Sequence, residues 1–428
     1  MVLGFAFVFY LLVWCSVFVP FARSAQAFGR NIVIIVTLFW VLWYQWLSPL
    51  SFVLWGDTEL FGFQSAPHLP SLLLIYGFSV IWVFIGWAVI KGSAGRDLAA
   101  ELSLLDYPVW VCRVWIASGF LGLLAWAVSV NYSLSSLFLL SLWSGAGASS
   151  NMTSGSTLAM YSLQTFEFAI TGILLASLSK MGRKEWLFWL TLYSVCAVSL
   201  GFRYRLMILG GGLGLIYVVR NGLHLRNIVP ISGVLVITLI LLTVFADNRT
   251  NFKAATRHQE QLNFSAGIDN VLSIFSNTRN FFADAALIKA VDTNQADIDF
   301  GETMFGHIVV RALPASVFDG VKPYPPSLEA SRNSWPSSEG AYSGEAFSYV
   351  GEFYFTGGWF GVAILSLLFG MALRWASRVR SPLLIIVISA SIFQYVGRGY
   401  LPGFMMSFVF LLVPAIISVS KPSKGIQS

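Results

Sequence analysis

Two short stretches of this 428-residue chain combine residue types that could do chemistry. GFRYRLMILGGGLG (201–214) sets Arg203 and Arg205 between apolar runs, and YSGEAFSYVGEFYFTGGWFG (342–361) carries Glu345, Tyr349 and Glu352. A guanidinium is a planar fork of donors that engages phosphate oxygens in pairs, so two arginines at a membrane boundary suit a diphosphate. A carboxylate accepts a proton from a hydroxyl, and partial burial moves its pKa toward a useful range. If a helix starts near Ser343, then Glu345, Tyr349 and Glu352 fall at i, i+4 and i+7 on one face. The plainer alternatives are arginines that snorkel to headgroups and acids that complement a helix dipole. His307 is a further candidate for proton transfer. Glu167 sits in the middle of an apolar run, where a charge is neutral, paired or facing a cavity. Arg113, close to a run's end, reads as a snorkelling residue.

The elements that position these residues follow from composition. The chain is 57% hydrophobic and 11% charged, with a mean hydropathy of +0.73, which sets it apart from soluble globular domains and implies an all-α integral membrane protein. The net charge of +6 marks topology rather than nucleic-acid binding. Cys15, Cys112 and Cys196 lie singly in apolar runs, and the four His form no HExxH or similar ligand spacing. Neither a metal nor another cofactor is expected.

Apolar stretches predict about eleven spans, near 3–21, 31–54, 71–90, 109–130, 157–178, 186–201, 205–219, 228–246, 352–373, 381–397 and 402–420. The first is followed, not preceded, by Arg23 and Arg30, the reverse of a cleavable signal, and reads as a retained helix. Leu137–Trp143 is too short to cross. More than half of the 26 cations fall in six alternate short segments: Arg23 and Arg30; Lys91 and Arg96; Lys180, Arg183 and Lys184; Arg220 and Arg226; Arg374, Arg378 and Arg380; Lys421 and Lys424. Lys and Arg in short loops stay cytoplasmic, which predicts an external amino terminus and a cytoplasmic carboxyl terminus. Arg203, Arg205 and Arg398 then lie in very short outer connections, against the rule.

The same topology divides the chain into a bundle of about eight spans (1–246), a large outer segment (247–351) and about three final spans with a short tail (352–428). The outer segment is far longer than an ordinary link and is expected to be functional. In DNVLSIFSNTRNFFADAALIKAV, Val271, Ile274, Phe275, Phe281, Phe282, Ala285 and Ile288 recur at helical spacing, with Asp284 and Lys289 on other faces. Downstream, RALPASVFDGVKPYPPSLEASRNSWP is proline-rich and conformationally restricted.

The arginine-bearing GFRYRLMILGGGLG, a large outer segment containing RALPASVFDGVKPYPP, and SGEAFSYVGEFYFTGGWFGV entering the next helix together resemble the Wzy-type O-antigen polymerases. The long segment between the eighth and ninth spans fits that family as well. The resemblance implies a glycosyltransferase at the periplasmic face of the bacterial inner membrane. It would move a growing glycan from undecaprenyl diphosphate to the non-reducing end of another undecaprenyl-diphosphate-linked oligosaccharide repeat unit. Membrane lipids surround it, and a chain-length regulator is a possible partner. Arg203 and Arg205, with Arg279 or Arg311, would bind the diphosphate and stabilise the leaving group. Tyr349 would contact the glycan. Glu345 first and Glu352 second would orient or deprotonate the acceptor hydroxyl. A diphosphate-activated donor needs no nucleotide, in keeping with the absence of a Gly-rich phosphate-binding motif.

Two rivals remain open at the level of sequence. An O-antigen ligase shares the donor but passes the glycan to lipid A core. A lipid-linked oligosaccharide flippase or transporter would call for internal pseudo-symmetry and several midplane polar residues, whereas here the polar residues gather on one side.

Overall fold

The computed structural model describes residues 2–22, 29, 31–91, 98–131, 157–200, 203–222, 279–319, 322–335 and 347–418. The chain is an all-α membrane protein: among the described residues six helices are long and apolar enough to cross a bilayer. The helices are α1 (Val2–Ala22), α2 (Ile32–Trp55), α3 (Leu69–Val89), α4 (Leu98–Ser103), α5 (Val109–Ser129), α6 (Thr157–Gln164), α7 (Glu167–Ser177), α8 (Arg183–Ser199), α9 (Arg203–Asn221), α10 (Asn280–Asp292), α11 (His307–Ala312), α12 (Pro326–Asn333), α13 (Tyr349–Ala376), α14 (Pro382–Gly397) and α15 (Leu401–Ile417). The spanning candidates are α1, α2, α3, α5, the α6–α7 pair and α13, while α14 and α15 are shorter apolar helices. The expected runs at 186–201 and 205–219 are α8 and α9. The run at 228–246, Leu137–Trp143 and the first part of the outer segment lie outside the described residues.

The surface of these helices explains why they need lipid. Val2, Phe5, Val8 and Leu12 of α1 and Trp359, Phe360, Ile364 and Leu368 of α13 are exposed at helical spacing. Such continuous apolar stripes are unstable in water and unremarkable against acyl chains, where the helix satisfies its own backbone.

The chain forms two compact units that do not follow the sequential boundaries at 246 and 351. One contains Met1–Asp97, Phe275–Val379 and Ser391–Met406, the other Leu98–Ile274, Arg380–Ala390 and Ser407–Ser428. In the first unit α3 crosses α13 at Gly86 and Gly370: a Cβ at either would collide with the facing backbone carbonyl, of Leu367 and Val83 respectively. Small residues allow this approach, and dispersion over the resulting contact replaces the hydrophobic drive that lipid removes. Arg378, just beyond α13, donates to the carbonyls of Ile90 and Lys91, so the basic ends of α3 and α13 adjoin. At the opposite ends a two-stranded hairpin, β1 (Glu59–Leu60) with β2 (Phe63–Gln64), packs Phe61 and Phe63 edge-on against Trp335. Phe52 of α2 meets Phe281 and Phe282 of α10 there.

Two helices of this unit depart from regularity. α2 contains a π-turn at Trp43–Leu47 that holds the buried Gln45, whose Oε1 accepts from Tyr10 at 3.1 Å. α13 is broken at Gly357 and Gly358, the latter at φ 57 and ψ −143, a region open essentially to glycine. The break leaves a buried half-helix, Tyr349 to Thr356, ahead of the lipid-facing remainder.

In the second unit α5 packs on α7 through Gly119, Ala169, Ile116 and Gly172. The GGGLG stretch gives one such approach: Leu174 reaches to 2.9 Å from where a Gly212 Cβ would stand, while Gly210 faces open space.

Candidate functional site

Arg203 and Arg205 do not occupy a link between helices. α9 begins at Arg203, so Arg205 lies in its first turn. The Arg203 side chain is outside the described residues. Arg205 is wholly buried, with its Nε 2.8 Å from Glu167 Oε1 and its Nη2 3.2 Å from the Leu163 carbonyl. The guanidinium lies over the rings of Phe166 and Tyr204, and Tyr204 also donates to Glu167 at 3.1 Å. The expected span at 157–178 is interrupted at Thr165 and Phe166, which places Glu167 at the start of α7 and lets the Leu163 carbonyl accept from Arg205 as well as from the Phe166 amide. This corrects the reading of Arg205 as an exposed anion ligand: its charge is buried and matched by Glu167, the paired option for that acid.

The acidic stretch of the first unit is also re-registered. α13 begins at Tyr349 rather than near Ser343, because Ser348 caps it and its side chain accepts from the Val350 amide. Glu345 lies outside the described residues. Tyr349 and Glu352 both point inward. Tyr349 is fully buried and its hydroxyl meets Ser79 at 3.1 Å, with Ser79 in turn 2.7 Å from Ser366. Tyr349 therefore belongs to an interior polar network and not to a glycan-facing surface. Glu352 is 1% exposed and accepts from Leu401 N at 3.1 and 3.3 Å and from Tyr395 at 3.2 Å. Leu401 opens α15, so the carboxylate meets an unpaired helix amide at a positive dipole end. Glu352 thus fixes the turn from α14 to α15; it is not a base standing at an open mouth.

One basic residue lies on that turn, and another stands against it. Arg398 is exposed, and two residues on the Tyr400 ring lies 5.7 Å from the Arg311 guanidinium. Burial raises the Tyr400 hydroxyl pKa, Arg311 opposes the rise, and Glu352 and Tyr324 add to it, so these four groups share one electrostatic neighbourhood. Lys322 donates to the Arg311 carbonyl at 2.8 Å, and both desolvation and Arg311 push its pKa down. Arg311 Nε is buried with no hydrogen-bond partner among the described residues. Arg311 and Lys322 are cationic neighbours that could meet an anion, with Tyr400 as the ring against which Arg311 is held; Arg398 stands two residues before that ring.

His307 begins α11 one turn before Arg311 and is buried. Burial pushes its pKa down, while Glu302 and Asp299 pull it up. Asp299 is the acid felt by both His307 and Glu352, and its carboxylate accepts the amides of Gly301 and Thr303, each at 2.9 Å. Arg279 immediately precedes α10 and is partly exposed.

The residue that periodicity misplaces is Asp284. Phe281, Phe282, Ala285 and Ile288 are buried as their spacing predicts, but so is Asp284, because α10 is enclosed on nearly every face. Its Oδ1 accepts the Ser348 amide at 2.7 Å, and its Oδ2 accepts the Tyr76 hydroxyl. Desolvation raises its pKa from 3.8 to about 6, against the lowering effect of those hydrogen bonds. The available signal was the polar pair Tyr76 and Ser79 inside the otherwise apolar α3, three residues apart and needing partners.

Among the described residues no three of His, Cys, Asp and Glu gather as a metal site. No protein-family model, curated protein or solved structure matches this chain.

Proposed function

We propose that the protein is an O-antigen polymerase of the Wzy type, working at the periplasmic face of the bacterial inner membrane. The observation that carries this reading is the pair Arg311 and Lys322 beside Tyr400, on the turn that Glu352 holds and that also carries the exposed Arg398. A lipid-linked diphosphate is the anion expected where such a patch adjoins membrane helices. In the reaction the acceptor sugar hydroxyl attacks the anomeric carbon of the donor glycan. The bond from that carbon to the diphosphate oxygen breaks, undecaprenyl diphosphate leaves, and the hydroxyl proton passes to a carboxylate.

In this reading Arg311 and Arg398 bind the leaving diphosphate and offset its developing charge, with Arg279 near the start of α10 as a further ligand. Lys322 orients Arg311. Glu345, three residues ahead of the Ser348 cap, is the proposed base; Glu352 holds the Tyr400–Leu401 turn; His307 is the alternative proton carrier. Arg205 serves the fold through Glu167. Eleven spans, a periplasmic segment 247–351, an external amino terminus and a cytoplasmic carboxyl terminus complete the proposal. The adjoining ends of α3 and α13, with Lys91 and Arg378 together, support their assignment to one side. A protein that sets chain length remains a proposed partner.

Purified full-length protein in proteoliposomes, supplied with undecaprenyl-diphosphate-linked single repeats, is expected to produce a ladder of products and release one undecaprenyl diphosphate per bond formed. Transfer only to lipid A core, with no ladder, would identify a ligase and overturn the proposal.

A further inference from the structure

The groups of the candidate site come from separate parts of the chain, and α10 touches two of them. Asn280 and Asp284, at i and i+4, share one face of α10. Asn280 Nδ2 donates to the Gly397 carbonyl at the end of α14, immediately before the Arg398–Leu401 turn. Asp284 accepts the Ser348 amide at the start of the half-helix that carries Glu352. Further along α10, Asp292 Oδ1 accepts from Tyr354 at 2.6 Å, so the half-helix is held at its other end too. The fit is tight: a Cβ on Gly351 would collide with Asp284 Oδ1, and a Cβ on Gly399 would collide with the Ser348 carbonyl.

We infer that Asn280 and Asp284 are positioning residues through which α10 of the outer segment clamps the Glu352 half-helix and the Arg398–Leu401 turn in register. Neither residue touches the anion patch. Each acts on it through backbone: Asp284 through the Ser348 amide, Asn280 through the Gly397 carbonyl. Glu352 then ties the two clamped pieces together through Leu401. The large outer segment is thereby part of the scaffold of the site, and not only a cover over it. What reaction the clamped site performs rests on the polymerase reading; the clamp does not.

The test is hydrogen–deuterium exchange on the full-length protein in detergent, paired with the proteoliposome assay. Asp284→Ala is expected to speed exchange of the amides at 348–352 and 398–401 by about tenfold, the effect of losing one hydrogen bond to a charged group. Amides of α5 and α7 should keep wild-type rates. Asp284→Asn retains an acceptor for the Ser348 amide and should recover most of the protection. Gly351→Ala should reproduce the loss by pushing the Asp284 carboxylate off the Ser348 amide while leaving both residues in place. Turnover should fall about tenfold in Asp284→Ala, with the KM for lipid-linked acceptor unchanged. Should Asp284→Ala not accumulate, Asn280→Ala carries the test at 398–401 alone. Unchanged exchange at both segments overturns the clamp, as does faster exchange with wild-type turnover. Absence of polymer from the wild-type protein would instead overturn the polymerase reading and leave the exchange result standing.

Discussion

The Arg205–Glu167 pair gives a prediction that separates a structural arginine from a substrate-binding one. Both side chains are fully buried, and the Nε to Oε1 distance is 2.8 Å. Replacing Glu167 by Gln leaves the Arg205 charge buried with only neutral acceptors, and replacing Arg205 by Met leaves the Glu167 charge alone at the start of α7. Breaking a buried pair from one side costs about 3–5 kcal/mol, because an uncompensated charge remains, whereas removing both partners is often nearly neutral. A domain's whole stability is typically about 5–15 kcal/mol, so either single change should reduce the amount of protein in the membrane severalfold. The double variant Glu167→Gln with Arg205→Met should restore most of it. The assay is quantitative immunoblotting of membranes, with thermal unfolding of purified protein in detergent as the second reading. Arg205→Met that accumulates and melts like wild type, yet makes no polymer, would refute this reasoning and return Arg205 to the anion site.

Three further outcomes follow from the first unit. Arg311→Ala should lower polymerisation by at least tenfold at normal protein levels, as expected for loss of a charge-assisted contact to a leaving group, whereas Arg311→Lys should recover only part because it lacks the guanidinium fork. Activity at matched protein amounts checks this. Asp284 has a folded-state pKa raised from 3.8 to about 6, so its protonated form is favoured by folding; its contribution is present below pH 3.8 and lost as pH rises through 6. Its full size is on the order of 3 kcal/mol. The melting temperature of Asp284→Asn relative to wild type should therefore rise between pH 4 and about 6.5 and level off above, and a constant difference would count against the shift. Gly358→Ala forces a side chain into a glycine-only region and should cost about 1–3 kcal/mol, read as a lower melting temperature.

Much of the membrane architecture was legible because it rests on local properties. Runs of apolar residues at 3–21, 71–90 and 109–130 became α1, α3 and α5 almost residue for residue, since a helix is the only open-chain solution in lipid. The helical spacing of Phe281, Phe282, Ala285 and Ile288 likewise found α10, because periodicity too is a local property. Pairings between distant residues were not legible. Arg205 and Glu167 each stood out as costly, but their sequence separation of 38 hides that each is the answer to the other. The start of α13 was misplaced because Ser343 and Ser348 are both plausible caps, and only packing against α10 selects Ser348, through Asp284. Reading α10 as amphipathic put Asp284 on a different face from the buried apolar residues; a helix enclosed on nearly every side buries that face as well. The basic neighbourhood was seen only in part, since Arg311 and the Tyr400 ring it lies against are far apart in sequence.

In the proposed reaction this chain joins lipid-linked glycan units with Arg311 and Arg398 binding the leaving diphosphate. The most direct test is the lipopolysaccharide profile of a deletion strain complemented with wild-type protein or with the Arg311→Ala, Arg398→Ala double variant at equal expression. Expected are a single-repeat product in the deletion, full-length chains with wild type, and a return to the single-repeat product with the double variant. Long chains supported by the double variant, or complete loss of attached O-antigen in the deletion, would contradict the proposed reaction.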